Sequence, residues 1–417
     1  MSAARDCSFD RAWLNEPGIF EPSDEHLYVE IKEVNAKVSY SEEPKSGEEL
    51  PALCATATDP NARWALRLLI TTRVYHRNSR RHVPYSTKMI DAFGKHWRIS
   101  ALCFGDRSSC SMPFNPVPCN PSWSGFMVRW IYSLPFTCTF CIAHNSSTKT
   151  TYAVCYGPDR TDKTAFLARL KRAKNDAFQP FLAPLIMTDL TLAGLERFSH
   201  TIYDDHIPVR EAMGCNMYFQ LAQDYVAPDL TEMPRRLTAL ANAVASNTSA
   251  MLHTAGVIEH MSEQIEQSHD VDDAEAALIV QMRDRLMLMR QIVANTKRRN
   301  EYIKESVKAQ VQMVYALLAQ KDNELNRRYG ADMRVIAVVT LLFLPGTFVA
   351  TLFSASFWDF SPANRGSVVS EWVWLYWIIT IALTVAVLAV WRTHPRLRKR
   401  KPWRAAGADE ESGKKDD

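Results

Sequence analysis

Two long stretches near the carboxyl end of the chain contain no charged residue. They cover residues 335–353 and 372–391, and each is close to the roughly 20 residues that a helix needs to cross a bilayer. Helices of soluble proteins rarely stay apolar on every side, because one face usually meets water. The sequence therefore predicts two transmembrane helices in the last quarter of the 417-residue chain.

The charges that flank these stretches predict their orientation. Basic residues crowd positions 392–404 and recur in 327–334, whereas the connecting segment 354–371 holds Arg365 as its one basic residue. Positive residues favour the cytosolic side of a membrane. We therefore expect both termini in the cytosol and segment 354–371 outside. The first residues lack the apolar core of a secretory signal, which agrees with a cytosolic N-terminal region.

Composition divides the sequence before the predicted spans. Residues 1–50 are polar and interrupted by Pro and Gly, which predicts a loose arm. Residues 51–229 alternate short apolar runs with turn residues. Within them, 124–132 and 150–156 are rich in β-branched and aromatic residues and predict strands, while 163–173 predicts a helix. This mixture indicates an α/β domain.

Helix-breaking residues become rare after residue 229. Pro234 is the last proline before Pro345, and apolar residues from Leu278 to Leu325 mostly recur at steps of three, four or seven. This is the periodicity of one helix face, so segment 230–333 predicts a long helical stalk. Such a face needs a cover from a helical hairpin, a coiled coil or an oligomer. Asn300 falls on this face, where it would cost stability in a dry seam.

Hydroxyl side chains mark one side of the first predicted span. At about 100° per residue, a narrow sector that we call the hydroxyl face contains Met333, Thr340, Leu344, Thr347, Thr351 and Ser354. Polar side chains in lipid are unfavourable, so this face either packs against other helices or lines an ion path. Pro345 lies within the span and removes one backbone hydrogen bond, which predicts a helix kink.

The run Leu344-Pro-Gly-Thr-Phe-Val-Ala-Thr-Leu-Phe-Ser-Ala-Ser-Phe resembles the first span of the CorA-like family of divalent-cation transporters. Members carry Pro-x-Thr-Phe there, and they combine a long stalk helix, a short outer loop and a second span followed by basic residues. The specific similarity covers residues 327–400. It implies an α+β fold with a cytosolic α/β domain, a stalk, a two-helix transmembrane domain at 334–391 and a cytosolic tail at 392–417.

One motif of the family is replaced in this chain. Members carry Gly-Met-Asn at the outer end of the first span, where Ser354, Ala355 and Ser356 stand here. In the family this signature holds the hydrated cation, and its Asn contributes a carbonyl oxygen. A Ser hydroxyl is shorter and matches the hydration shell of a hard cation less well. The resemblance therefore implies the fold more strongly than it implies selectivity for magnesium. The chain resembles eukaryotic branches of the family that lack the signature.

The resemblance also implies an assembly and a substrate. The assembly would be a homopentamer in a lipid bilayer, and the substrate a divalent cation such as Mg²⁺ that permeates passively. The hydroxyl face would line the pore, and Leu344 would form an apolar constriction. Asp332 and Asp359 would concentrate cations at the mouths, unless they are solvated interfacial charges. The alternative is a non-conducting membrane scaffold that kept the fold and lost the filter.

Other functional classes have less support in the sequence. Neither a nucleophile–base constellation nor a Gly-rich loop is found, so we expect neither an enzyme nor a bound cofactor. A net charge of +3 is too small to indicate a nucleic-acid partner. Cys138 and Cys141 have the spacing of half a zinc site, but the remaining cysteines are irregularly spaced, which favours free buried thiols.

An acidic patch with two histidines offers weak metal-ligand candidates. The residues are Glu259, His260, Glu263 and Asp270, within a dense run of acids that extends to Glu275. Because CorA-type proteins are gated by cations bound between cytosolic domains, the resemblance allows a regulatory metal site here. A solvated helical turn is the simpler explanation.

The predicted orientation can be tested with single cysteines. Ser361→Cys, in an otherwise cysteine-free chain, should react with an impermeant thiol reagent applied outside intact cells, because segment 354–371 is expected outside. Ala408→Cys should react only after the membrane is permeabilised. Labelling of position 408 in place of 361 in intact cells would reverse the orientation.

Overall fold

A computed structural model describes residues 22–72, 83–105, 112–114, 116–117, 120–133, 136–213, 232–266, 273–353 and 373–398. The chain divides into two compact units, Met1–Val314 and Tyr315–Asp417, which are described separately. A mixed sheet and long helices make the protein an α+β protein.

The described strands of the first unit form one sheet in the order β2-β1-β3-β7-β6-β5-β4. They are β1 (His26–Val34), β2 (Lys37–Lys45), β3 (Ala62–Thr71), β4 (Met112–Phe114), β5 (Trp123–Ser133), β6 (Phe136–Asn145) and β7 (Thr150–Tyr156). The pair β3–β7 is parallel, and the other neighbouring pairs are antiparallel. Strands β5 and β7 confirm the two strands predicted from β-branched and aromatic residues.

Strands β1 and β2 lie where the sequence predicted a loose arm, so that prediction is wrong for residues 26–45. In β1, buried apolar residues alternate with charged residues, and the charged residues made the segment look polar throughout. Val29 and Ile31 enter the core, whereas Glu30 and Lys32 point to the other face and form an ion pair of 3.5 Å. Such alternation is the signature of a strand.

The described helices are α1 (Leu50–Ala55), α2 (Thr87–Ala92), α3 (Arg160–Arg172), α4 (Leu182–Ala212), α5 (Met233–Glu266), α6 (Asp273–Phe353) and α7 (Val373–Arg398). Helix α3 confirms the predicted helix. It begins where the Asp159 side chain accepts a hydrogen bond from the backbone N–H of Asp162 at 2.7 Å, which satisfies a helix-terminal donor.

Both faces of the sheet are covered. On one face, Val128 and Phe140 pack with Phe166 of α3 and with apolar residues of α4, α5 and α6. On the other face, Met127 and Cys141 pack with a smaller cluster that includes Tyr85, Phe93, Trp97 and Phe104. The sheet is therefore the middle layer of the first unit.

The apolar face of the predicted stalk is buried within the first unit. On α6, Met282, Leu286, Met289, Val293, Ile303, Val307 and Val314 are buried, which confirms the predicted periodicity for this part. Helices α4 and α5 contribute to its cover, since Met187 and Met261 belong to the same core cluster as Met289. The sequence left open whether a helical hairpin, a coiled coil or an oligomer buries this face. In the first unit, helices α4 and α5 of the same chain pack against it.

Asn300 forms a buried polar layer between three helices. Its side-chain oxygen accepts hydrogen bonds from Ser199 of α4 at 2.7 Å and from Asn247 of α5 at 3.5 Å. Its amide nitrogen donates to Thr248 at 3.3 Å. The position of Asn300 on the apolar face predicted a loss of stability in a dry seam, whereas polar partners on α4 and α5 offset the cost of burying its amide.

The second unit contains α6 from Tyr315 onward and α7. Among the described residues, one helix is long and apolar enough to cross a membrane, and its candidate span falls within Glu275–Thr351 of α6. The apolar part of α7, Trp374–Val390, is shorter. The pair of transmembrane helices therefore stays a prediction.

The role of the polar layer can be measured. Asn300→Ala should lower the free energy of unfolding by about 2 kcal/mol or more, because Ser199 and Thr248 would lose buried partners. Asn295→Ala is the matched control: Asn295 lies on the exposed side of α6, so about 0.5 kcal/mol or less is expected. Urea unfolding of the full chain in mild detergent, followed by tryptophan fluorescence, gives both values. Equal losses would contradict a special role for Asn300.

Candidate pore-lining face

Helix α7 packs against the side of α6 that carries Pro345 and Val349. Both residues are buried, and Val349 is 2% exposed. The Tyr376 hydroxyl of α7 donates to the backbone carbonyl of Gly346 at 3.3 Å. Because glycine lacks a side chain, the backbone of α6 can lie close to α7 at this point.

The hydroxyl face projects away from Val349. At about 100° per residue, Thr340 projects about 180° from Val349. Thr340, Thr347 and Thr351 are exposed in the single chain, and Leu344 and Met333 are 61% and 67% exposed. The structure thus brings the described members of this face together on one open side of the helix.

The threonine hydroxyls of this face bond to their own helix. Thr340 donates to the carbonyl of Ile336 at 2.9 Å, and Thr351 donates to that of Phe348 at 2.8 Å. Thr347 is 3.2 Å from the Phe343 carbonyl and 3.0 Å from that of Leu344. Each hydroxyl proton therefore has an acceptor inside the helix, and each oxygen keeps lone pairs that can accept a hydrogen bond from water.

A shallow groove adjoins the hydroxyl face. It has a volume of about 510 Å³ and is lined by Leu344, Pro345, Thr347, Phe348, Thr351, Leu383 and Val387. The two threonines supply its polar side chains, and the rest of the lining is apolar. The groove belongs to the contact between α6 and α7 in the second unit.

Large apolar side chains are exposed on both helices of this unit. Phe343 and Phe348 of α6 are 62% and 58% exposed, and Trp374 and Trp377 of α7 are 61% and 60% exposed. Exposed apolar side chains of this size and number are typical of a membrane-facing or protein-facing surface. The described part of this unit therefore needs an apolar environment or a partner.

The acid predicted at the cytosolic mouth is not aligned with the hydroxyl face. Asp332 is exposed, but at about 100° per residue it projects about 80° away from Thr340. The same helical count places Asp322 and Tyr329 within about 20° of Thr340. Both are exposed residues that the sequence analysis missed. Extending the periodicity of the hydroxyl face to residues before Met333 would have found them.

Several predicted residues fall outside the part of the chain that the structure describes. These are the filter-position residues Ser354, Ala355 and Ser356, together with Asp359 and Asp270.

Glu259, His260 and Glu263 of the acidic patch lie on α5. Glu259 and Glu263 are exposed. Burial lowers the pKa of His260 below its ordinary value, and the nearby Glu263 carboxylate opposes this shift without reversing it. Within the described ranges, no group of three or more His, Cys, Asp or Glu side chains could hold a metal ion.

Cys138 and Cys141 point to opposite faces of the sheet, since they belong to its two separate core clusters. They therefore cannot share a metal ion. Both are buried and outside any disulfide, as are Cys54, Cys103 and Cys155. The Cys138 and Cys155 sulfurs lie 3.9 Å apart, and burial raises the pKa of the Cys155 thiol well above its ordinary value.

Comparisons with known proteins found no matching protein-family model. Notoamide biosynthesis cluster protein M′ from Aspergillus versicolor is 36% identical over 77 residues, which cover 16% of this chain and 17% of that protein. Among solved structures, the CorA magnesium transporter from Methanocaldococcus jannaschii aligns with a TM-score of 0.45 and 10% identity, over 90% of this chain and 98% of that chain. The full-length CmaX protein aligns with a TM-score of 0.39 and 11% identity, over 91% of this chain and 99% of that chain.

Proposed function

We propose that the protein is a CorA-like metal-ion transporter or channel, in which copies of the chain surround a pore lined by α6. The observation that carries this proposal is the hydroxyl face, which is exposed in the single chain and borders the groove between α6 and α7. The resemblance of the Leu344-Pro-Gly-Thr-Phe run to the first span of that family supports it.

The chemistry of the face suits a hydrated cation. Threonine oxygens present lone pairs to the path, and these can accept hydrogen bonds from the water shell of an ion. Leu344 lies between Thr340 and Thr347 on the same face and would form a narrow apolar ring that conducts only when wet. Permeation would be passive and driven by the membrane potential, with no covalent step.

The apolar surroundings favour a membrane location and an assembly. Exposed Phe343, Phe348, Trp374 and Trp377 would face lipid or neighbouring copies, while the hydroxyl face would turn towards water at the centre. The family resemblance makes a homopentamer the proposed assembly, with both termini cytosolic and a divalent cation as the transported ion. Asp322 is aligned with the hydroxyl face, so it is better placed than Asp332 to concentrate cations at the cytosolic mouth of the pore.

A non-conducting scaffold is the second candidate, and two observations favour it. Ser354-Ala355-Ser356 replaces the signature that holds the ion in the family. The threonine hydroxyls also have acceptors within their own helix, so the face could be buried between helices at little cost.

Substitutions at Thr347 separate the two candidates. In a pore, Thr347→Leu should reduce divalent-cation flux into proteoliposomes about tenfold or more, because a bulky apolar ring promotes dewetting. Assembly in mild detergent, measured by light scattering, should persist. Val339→Leu is the matched control, since Val339 projects about 100° from Thr340, and we expect near-normal flux.

The scaffold reading predicts a different pattern. If the face packs against helices, Thr347→Leu should weaken the assembly, and the wild type should show no flux. Ser356→Asn tests the filter position separately, because an added amide oxygen should raise flux if the entrance keeps the family geometry. Normal assembly with no flux in wild type and Ser356→Asn would reject the transporter in favour of the scaffold.

A further inference from the structure

Pro345 removes one backbone hydrogen-bond donor from α6. Proline has no N–H, so the carbonyl of Leu341 loses its usual partner four residues on. In lipid, an unsatisfied backbone group is costly, and membrane helices tolerate proline where a neighbouring helix or side chain satisfies the freed group. Pro345 is buried on the α7 side of α6, so α7 is the element placed to supply a donor.

Two hydroxyls of α7 lie at this point. Tyr376 donates to the Gly346 carbonyl at 3.3 Å. Thr380 follows one turn later, and its methyl carbon Cγ2 would be 3.7 Å from a Cβ added to Gly346. That distance is an ordinary contact, so the side chain of Thr380 lies directly beside the Pro345-Gly346 segment.

The Thr380 hydroxyl is unsatisfied in this conformation. Its Oγ1 is buried and lacks a hydrogen-bond partner among the described residues. The neighbouring Thr384 shows the usual alternative, because its hydroxyl donates at 2.8 Å to the carbonyl four residues earlier in its own helix. A buried hydroxyl without a partner needs a physical explanation.

We propose that Tyr376 and Thr380 are positioning residues that hold the Pro345-Gly346 segment of α6 in two alternative conformations. Tyr376 stabilises the conformation described here through the Gly346 carbonyl. In the second conformation, α6 bends at Pro345, and the Thr380 hydroxyl donates to the carbonyl that proline leaves free. This inference rests on the proposed function, because it sets where Leu344 and Thr347 stand in the pore.

The two hydroxyls therefore act in opposite directions. Tyr376→Phe removes the bond that favours the described conformation, whereas Thr380→Val removes the bond that favours the second one. A single hydrogen bond of ordinary net strength shifts such an equilibrium by about threefold to tenfold. A purely structural role would instead make both substitutions change the segment in the same direction.

The experiment measures the position of α6 without relying on transport. Thr347→Cys is introduced into a chain in which Cys7, Cys110, Cys119 and Cys215 are replaced, leaving the five buried core thiols in place. The rate at which Cys-reactive methanethiosulfonate modifies position 347 is then compared between Tyr376→Phe and Thr380→Val in proteoliposomes. We expect shifts of about threefold or more in opposite directions.

Two control variants keep the outcome interpretable. Thr384→Val removes a hydroxyl that bonds within α7, and Thr380→Ser keeps the hydroxyl at the critical position, so both should match the parent. If Tyr376→Phe fails to assemble, the contrast between Thr380→Val and Thr380→Ser decides. Unchanged rates, shifts in the same direction, or an equal effect of Thr384→Val would overturn the proposal.

Cation flux measured in separate proteoliposomes that contain the wild-type chain separates this inference from the proposed function. Opposite shifts in modification rate with no flux in the wild type would reject transport and leave the positioning role standing. Wild-type flux with no shift in rate would reject the positioning role alone.

Discussion

The second unit depends on one constraint, which is that polar groups in an apolar environment must find partners within the protein. Helical hydrogen bonding satisfies the backbone except where Pro345 lacks an N–H, and the threonines of α6 donate to carbonyls of their own helix. The side chains on the outer surface of the two helices still need a suitable environment. Helix α7 covers the side of α6 that carries Pro345 and Val349, so the hydroxyl face is left to meet water or other copies of the chain.

The first unit meets the same constraint with buried amide and hydroxyl groups. The Asn300 amide bonds with Ser199 and Thr248, which fixes the register of α6 against α4 and α5. The apolar face of α6 is covered there by the same chain. Exposure of large side chains rises beyond Val314, where Tyr315, Tyr329 and Met333 are 69%, 65% and 67% exposed. The need for a partner or a membrane therefore lies in the second unit.

Periodicity predicted those elements whose faces differ in polarity. The buried face of α6, strands β5 and β7 and helix α3 follow from the spacing of apolar residues. Strand β1 was missed because Glu30 and Lys32 alternate with its buried residues. The spacing of apolar residues predicts that a helix face is buried, but it does not identify the helices that cover it. The hydrogen-bond partners of Asn300 on α4 and α5 could therefore not be predicted, and Asn300 was expected to be destabilising. The contact of Tyr376 with Gly346 depends on how α7 rotates against α6, which sequence spacing does not determine.

In the proposed transporter, the hydroxyl face of α6 borders water within an assembly of copies of the chain. A cysteine scan of residues 338–351, in the chain that keeps only buried core thiols, tests it most directly. Modification by a small, charged thiol reagent in proteoliposomes should peak at positions 340, 344, 347 and 351 and fall at 339, 343 and 350, with the period of a helix. Uniformly slow modification, or a maximum at positions 343 and 350, would contradict the claim.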